Sequence, residues 1–232
     1  MQQLGKVVTE TPGRRFVIPD VHGCVKSLEA LLAQIDPQSV DQVFFLGDYI
    51  NKGPSSKATL DMLLQLRTAD AAFFFLRGNH DQKLIDYYNG EGGETLKNDL
   101  EELNATELMS VPDKLKAAYK SFLEDSDYFF ISGSYILVHA GLDFSLANPF
   151  RDAHSMLNIR GFAYDSKKAM RRSIIHGHFP SSLESIKKAI NTRSKVIPLD
   201  NGCVYSGNDG QGQLLCLELD SWTLFTQPNI DN

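Results

Sequence analysis

The sequence predicts an α/β fold built on parallel strands. Short apolar runs alternate with amphipathic helical stretches through the first third of the chain, in the order β-loop-α, β-loop-α, β. Each run breaks off into a polar, glycine-containing cluster, as a strand does when its carboxyl end opens on a ligand. Further short apolar runs fill the last third of the chain and read as β-hairpins.

Taken in order, Phe16–Ile18 reads as a strand and Asp20-Val21-His22-Gly23 as its outgoing loop. Ser27–Ile35 has leucines and isoleucine at helical spacing (Leu28, Leu31, Leu32, Ile35) and stops at Asp36-Pro37. Val43–Leu46 is the next strand, running into Gly47-Asp48-Tyr49-Ile50-Asn51-Lys52-Gly53-Pro54, and Ser55–Leu66 is the next helix. Ala72–Leu76, with three phenylalanines, reads as a buried strand closed by Arg77-Gly78-Asn79-His80-Asp81. From Gln82 to about Ser126 strand signals vanish and helical ones replace them, either as an insertion over the strand ends or as a peripheral helical layer. Tyr128–Ile131 and Tyr135–Val138 form a hairpin around Ser132-Gly133-Ser134, and the second strand ends at His139-Ala140-Gly141. Residues 143–172 are mixed, with a helix expected from Asp165. Ser173–Ile175 ends at His176-Gly177-His178, and the tail reads as strands Lys195–Leu199, Gly202–Ser206, Gln213–Glu218 and Trp222–Phe225.

With 232 residues, 42% hydrophobic and 22% charged, the chain can bury a sizeable core. No run of about 18 apolar residues is present, so no membrane span is expected. The N-terminal Met-Gln-Gln-Leu-Gly-Lys lacks the pattern of a signal peptide. Cys24, Cys203 and Cys216 are odd in number and widely spaced, which points to neither a disulfide framework nor a zinc finger and makes a cytoplasmic location the expectation. A net charge of −6 argues against a nucleic-acid polymer as partner. A small anionic substrate stays open, because a bound cation can reverse the local field.

The five polar strand ends carry Asp20 and His22, Asp48, Asn79 and His80, His139, and His176 with His178; of the six histidines only His154 lies elsewhere. One histidine after an apolar run is usually structural, but five such loops ask for a common purpose. A His/Asp/Asn set without cysteine suits borderline-hard divalent ions such as Mn, Fe or Zn. The set is too large for one tetrahedral ion and suits two, which about 3.5–4 Å apart would activate water and stabilise in-line attack on phosphorus.

The segments Asp20-Val21-His22-Gly23, Gly47-Asp48-Tyr49-Ile50-Asn51-Lys52-Gly53, Gly78-Asn79-His80-Asp81, His139-Ala140-Gly141 and Gly177-His178 resemble, in order, the motifs of calcineurin-like metallophosphoesterases. The likeness is strongest to the phosphoprotein phosphatase branch and its short bacterial members, serine/threonine phosphatases and symmetrical diadenosine tetraphosphatases. Leu199–Tyr205 extends it toward the C-terminus. The resemblance implies one domain over 1–232, with two mixed β-sheets packed as a sandwich flanked by helices and a helical insertion at about 82–126. It implies two divalent metal ions, with manganese expected. Asp20, His22 and Asp48 would bind the first; Asp48 would bridge to the second, completed by Asn79, His139 and His178. His80 would be the general acid, positioned by Asn51, while Lys52 and Arg160 would bind substrate phosphate. A surface salt bridge is the plainer role for Arg160. His176 is expected to support the site and Cys203 to belong to the core.

Two departures stand out. Where the family has Asp-Arg, this chain has Asn51-Lys52. An uncharged partner is expected to lower the His80 pKa and shift the pH optimum; lysine keeps the charge but loses the fork of arginine. The leading expectation is a phosphomonoesterase acting on phosphoserine or phosphothreonine. The alternatives are a symmetrical diadenosine tetraphosphate hydrolase and a catalytically impaired phosphate-binding regulator; a nuclease is disfavoured by the acidic balance. Tyr87, Tyr88 and Phe144 are candidates for adenine stacking, although burial explains them equally well.

Overall fold

The structure is a computed structural model describing residues 4–231. Met1–Gln3 and Asn232, which belong to the expected 1–232 domain and, for the first three, to the N-terminal run, lie outside the described residues. In chain order the elements are β1 (Gly5–Val7), β2 (Arg15–Ile18), α1 (Val25–Ile35), β3 (Gln42–Phe45), α2 (Ser56–Leu66), β4 (Ala72–Phe75), α3 (Asn79–Tyr88), α4 (Gly93–Glu102), α5 (Thr106–Met109), α6 (Asp113–Glu124), β5 (Phe129–Ser132), β6 (Tyr135–Val138), a 3-10 turn (Pro149–Arg151), α7 (Ala153–Asn158), β7 (Ser173–His176), α8 (Leu183–Asn191), β8 (Val196–Pro198), β9 (Gln213–Glu218) and β10 (Leu224–Pro228).

The strands make two mixed sheets, ordered β1-β5-β6-β7-β8 and β10-β9-β2-β3-β4. In the second, β2, β3 and β4 are parallel while β9 runs antiparallel to β2. In the first, β6, β7 and β8 are parallel and β5 runs antiparallel to β6. Alternation along each strand divides the apolar residues among three clusters. Val17, Phe44, Leu46 and Leu217 face Phe130, Leu137, Ile175 and Ile197 across the space between the sheets, which is the sandwich the resemblance implied. Phe16, Ile18 and Phe45 point the other way, under the buried stripe of α1 (Leu28, Leu31, Leu32, Ile35). Ile136, Val138 and Ile174 pack outward against Leu142, Phe144 and Met156. This layering leaves the carboxyl ends of β2, β3, β4, β6, β7 and β8 to supply the polar loops.

The helical segment after β4 shares the core of the second sheet through Leu84, Leu100, Leu108, Tyr119 and Phe122. It also touches the loop after β3, where the Lys52 N–H donates to Leu103 O and Asn104 Nδ2 donates to Gly53 O.

Several expectations need correction. The Ala72–Leu76 run is not a fully buried strand: β4 is a sheet edge, and Ala72, Phe73 and Phe74 are only half-buried. No helix starts at Asp165. Its carboxylate accepts the Lys167 and Lys168 N–H groups, and the turns end at Met170 and Arg171, both in left-handed backbone that a helix cannot continue through. The helix of that region is α7. Lys195–Leu199 is not part of a hairpin, because β8 lies parallel to β7 and α8 makes the crossover, with Ile186 and Ile190 buried and Ser182 capping Ser185 N–H. Gly202–Ser206 is a turn rather than a strand; Cys203 and Gly202 are buried there without sheet pairing. Among the described residues of the tail, only the β9–β10 pair is a hairpin.

Candidate metal centre

The site is assembled from the backbone up. A Cβ on Gly47 would overlap the backbone of Gly78, and one on Gly78 would overlap Asp48 Oδ1, so the loops after β3 and β4 pack main chain against main chain. Asp81, in the first turn of α3, ties them together. Its carboxylate accepts N–H groups from Gly78 (2.8 Å), Asp48 (2.8 Å) and Tyr49 (3.0 Å). His22, Asp48, Asn51, Lys52 and His178 all take left-handed backbone. Such conformations persist where surrounding contacts over-determine them, and they concentrate at functional sites.

The donors converge on Asp48. Its Oδ1 accepts the His80 N–H at 3.0 Å, while its buried Oδ2 has no hydrogen-bond partner and lies 3.6 Å from both His22 Nε2 and His139 Nε2. His139 Nε2 is 3.1 Å from Asn79 Oδ1 and 3.2 Å from His178 Nδ1, and these last two are 2.9 Å apart. Two donors each about 2.1 Å from one ion stand roughly 3 to 3.4 Å apart, so this spacing fits a shared cation. Backbone carbonyls set the tautomers. Ile50 O takes the Nδ1 proton of His22 and Leu46 O that of His139, which turns both Nε2 lone pairs inward. Asp20 Oδ2 lies 3.9 Å from His22 Nε2, and both Asp20 oxygens accept the His178 N–H.

The electrostatics ask for positive charge. Burial pushes the Asp48 carboxyl up to about 7 and Asp200 to about 6, and raises Asp20 well above its ordinary value with help from Asp200 and Asp48. Burial also holds His139 and His178 down to about 3. Buried acids that resist ionisation and histidines that resist protonation are the donor set a divalent cation stabilises. The Asp48 oxygen shared between two donor groups is the observation on which the fit of metal ions rests.

The structure therefore brings Asp20, His22, Asp48, Asn79, His139 and His178 together. His80 also joins this group, within ligand range of His22 and Asp48, and its ring stands edge-to-face on His22 at 4.9 Å. Its Nδ1 is engaged by Asn51 Nδ2 at 2.9 Å. With Asn51 Nδ2 donating, Nδ1 accepts and the ring proton sits on Nε2. Lys52 Nζ meets His22 Nε2 at 2.9 Å and lies 5.9 Å from the Tyr205 ring centroid. Arg160 is exposed at the rim, over the Phe179 ring at 5.8 Å, and makes no ion pair among the described residues, so the surface salt bridge considered for it is absent. His176 is half-buried behind the donors, its Nδ1 on Gly177 O. Sequence reasoning gave Asp200 no role; a lone acidic residue just past an apolar run was the signal, the same one that marked Asp20.

A cluster of this kind, at the meeting edge of two packed sheets, is a candidate centre for divalent metal ions. The chain matches the calcineurin-like phosphoesterase family over residues 13–212, and it belongs to that family. That family is one of phosphoesterases that use divalent metal ions. It is 38% identical over 100 residues to a symmetrical bis(5'-nucleosyl)-tetraphosphatase of Serratia proteamaculans, an alignment covering 42% of this chain and 32% of the relative. A like-named protein of Dechloromonas aromatica is 36% identical over 129 residues, 55% of this chain and 43% of the relative. The matched part is therefore less than half the length of these relatives. Among solved structures, a candidate diadenosine tetraphosphatase superposes with a TM-score of 0.71 at 20% identity, covering 100% of both chains. A serine/threonine phosphatase of Saccharomyces cerevisiae gives 0.61 at 14% identity, covering 99% of this chain and 85% of its own. At these identities both show the fold alone. No helix among the described residues is long and apolar enough to cross a membrane.

If Asp81 holds the two loops in register, Asp81→Asn puts an amide N–H₂ against at least one of the three backbone donors, Tyr49 N–H on one side of the carboxylate or Gly78 and Asp48 N–H on the other. Unfolding stability is expected to fall by about 2 kcal/mol, read by urea denaturation, and manganese affinity is expected to fall with it, read by calorimetry. An unchanged affinity would remove Asp81 from the account of the site.

Proposed function

We propose that this chain is a dinuclear-metal hydrolase that cleaves a dinucleoside tetraphosphate symmetrically: water adds to phosphorus, the central P–O–P bond breaks, and two nucleoside diphosphates leave. The carrying observation is the partnerless Asp48 Oδ2 shared by the two donor groups. The relatives matched by sequence, named as symmetrical tetraphosphatases, support this substrate class over the phosphoserine or phosphothreonine expected first.

In this reading Asp20, His22 and Asp48 would hold one ion, and Asp48, Asn79, His139 and His178 would hold the other. Divalent ions held there, manganese in our reading, would supply a more acidic water and draw charge from the phosphoryl oxygens. His80 presents Nε2–H to the leaving oxygen, held in that orientation by Asn51. Arg160, without an ion pair among the described residues, and Lys52 are the cations for the remaining phosphate oxygens.

Asn51 bears on substrate choice. An aspartate at this position would stabilise a charged imidazolium, the stronger acid supply that a serine or threonine alkoxide needs in order to leave. A neutral amide gives less of that help. A nucleoside diphosphate is a stable anion and leaves with little protonation, so the pair His80–Asn51 suits an anhydride better than an alkyl ester.

The manganese-loaded chain is expected to convert diadenosine tetraphosphate to ADP alone and to turn it over faster than a phosphoserine peptide. His80→Ala should lower the dinucleotide rate by roughly 10². Asn51→Asp should raise turnover of glycerol phosphate relative to the dinucleotide and move the His80 limb of the pH–rate profile upward. Cleavage of the phosphopeptide but not of the dinucleotide would refute the proposal.

A further inference from the structure

A cavity of about 620 Å³ opens between the loop after β6 and the segment that follows α7. Phe144, Phe162, Tyr164 and Ile159 line it, with Asp143 and Asp165 also in its lining. Phe144 is buried, whereas Phe162 and Tyr164 keep part of their rings exposed. The walls are fixed. Phe144 stands 5.9 Å from Phe162 and 6.1 Å from Tyr164, centroid to centroid. The Tyr164 hydroxyl donates to Arg172 O, and the Lys168 ammonium donates to Phe144 O and Leu146 O.

The cavity shares a wall with the metal centre. The Phe162 ring packs 5.7 Å from that of His176, and a Cβ on Gly141 would overlap it. Gly141 lies two residues beyond His139, and His176 two before His178. Arg160 sits over Phe179 beside the donors, and the next residue, Gly161, already lines the cavity. One step along the chain leads from a phosphate-side cation to an aromatic wall.

We propose that this cavity receives the nucleoside of the substrate, with the base against Phe162 and Tyr164 and the rim carboxylates accepting its amino group. The proposal rests on the reading of the reaction given above and names the residues that would read its nucleotide. Aromatic faces suit bases, and a few polar groups at the mouth suit their edges. The other aromatic candidates are committed elsewhere. Tyr88 is buried with its hydroxyl on Leu108 O, and Tyr87 packs against the same core. A second cavity, of about 410 Å³, touches Asn79 and includes Tyr128, but the Arg77 guanidinium covers that ring at 4.9 Å and bonds its hydroxyl.

The test titrates ADP and methyl diphosphate, which carry the same two phosphates with and without adenosine, into the manganese-loaded full chain by calorimetry. ADP is expected to bind about tenfold tighter or more, from one stacked base. Phe162→Ala should bring the two affinities together. Because Phe162 backs on Gly141, Ala163→Trp, which fills the exposed lip of the same cavity, decides the matter if the first variant does not fold. Equal affinities in the unaltered chain, or an ADP preference untouched by Ala163→Trp, would overturn the pocket. ADP preference lost in the variants, in a chain that fails to cleave diadenosine tetraphosphate, would uphold the pocket and remove the reaction instead.

Discussion

The buried carboxylate of Asp81 is the contact the site depends on. It accepts three backbone N–H groups, one from its own loop and two from the loop after β3. Each such charge-assisted bond is worth about 1.5–3 kcal/mol. Burial and the neighbouring Asp48 work against its charge, pushing the carboxyl up to about 7. The three donors offset that penalty, and in doing so they hold Asp48 in a backbone conformation it would not otherwise favour. The His80 N–H then fixes Asp48 Oδ1 and leaves Oδ2 turned to the centre without a partner. A single anchoring carboxylate thus prepares a second one for cations.

The sandwich supplies the rest. Parallel strands in both sheets send their carboxyl ends to one edge, so residues as distant in sequence as Asp20 and His178 become hydrogen-bonded neighbours. The histidines are oriented from behind by carbonyls at the ends of those same strands and loops, Ile50 O for His22 and Leu46 O for His139. The helical segment between β4 and β5 packs on the core of one sheet and also grips the loop that carries Asn51 and Lys52.

Much of this was legible in the sequence where local pattern and tertiary role agree. Phe16–Ile18 and Val43–Leu46 are short apolar runs that also sit at the centre of a sheet, and their polar ends proclaim the site. Phe73 and Phe74 misled because aromatic side chains on an edge strand stay half-exposed while looking like core. The crossover helix α8 was missed because only Ile186 and Ile190 reach the core; the Ser182 cap and the four-residue spacing were the available signal. Cys203 gave the look of a strand to a turn because its burial comes from packing, not from pairing. Asp81 lies in the Gly78–Asp81 motif and reads there as a supporting residue, but its three backbone partners, like the place of Asp200, depend on contacts that only the assembled loops create.

The central claim is that two groups of donors share Asp48. Crystals of the full chain grown with manganese, measured at the manganese absorption edge, test it most directly. Two anomalous peaks flanking Asp48 Oδ2, one beside His22 and Asp20 and one beside Asn79, His139 and His178, are the predicted result. A single peak, or peaks placed away from the Asp48 carboxylate, would contradict the account.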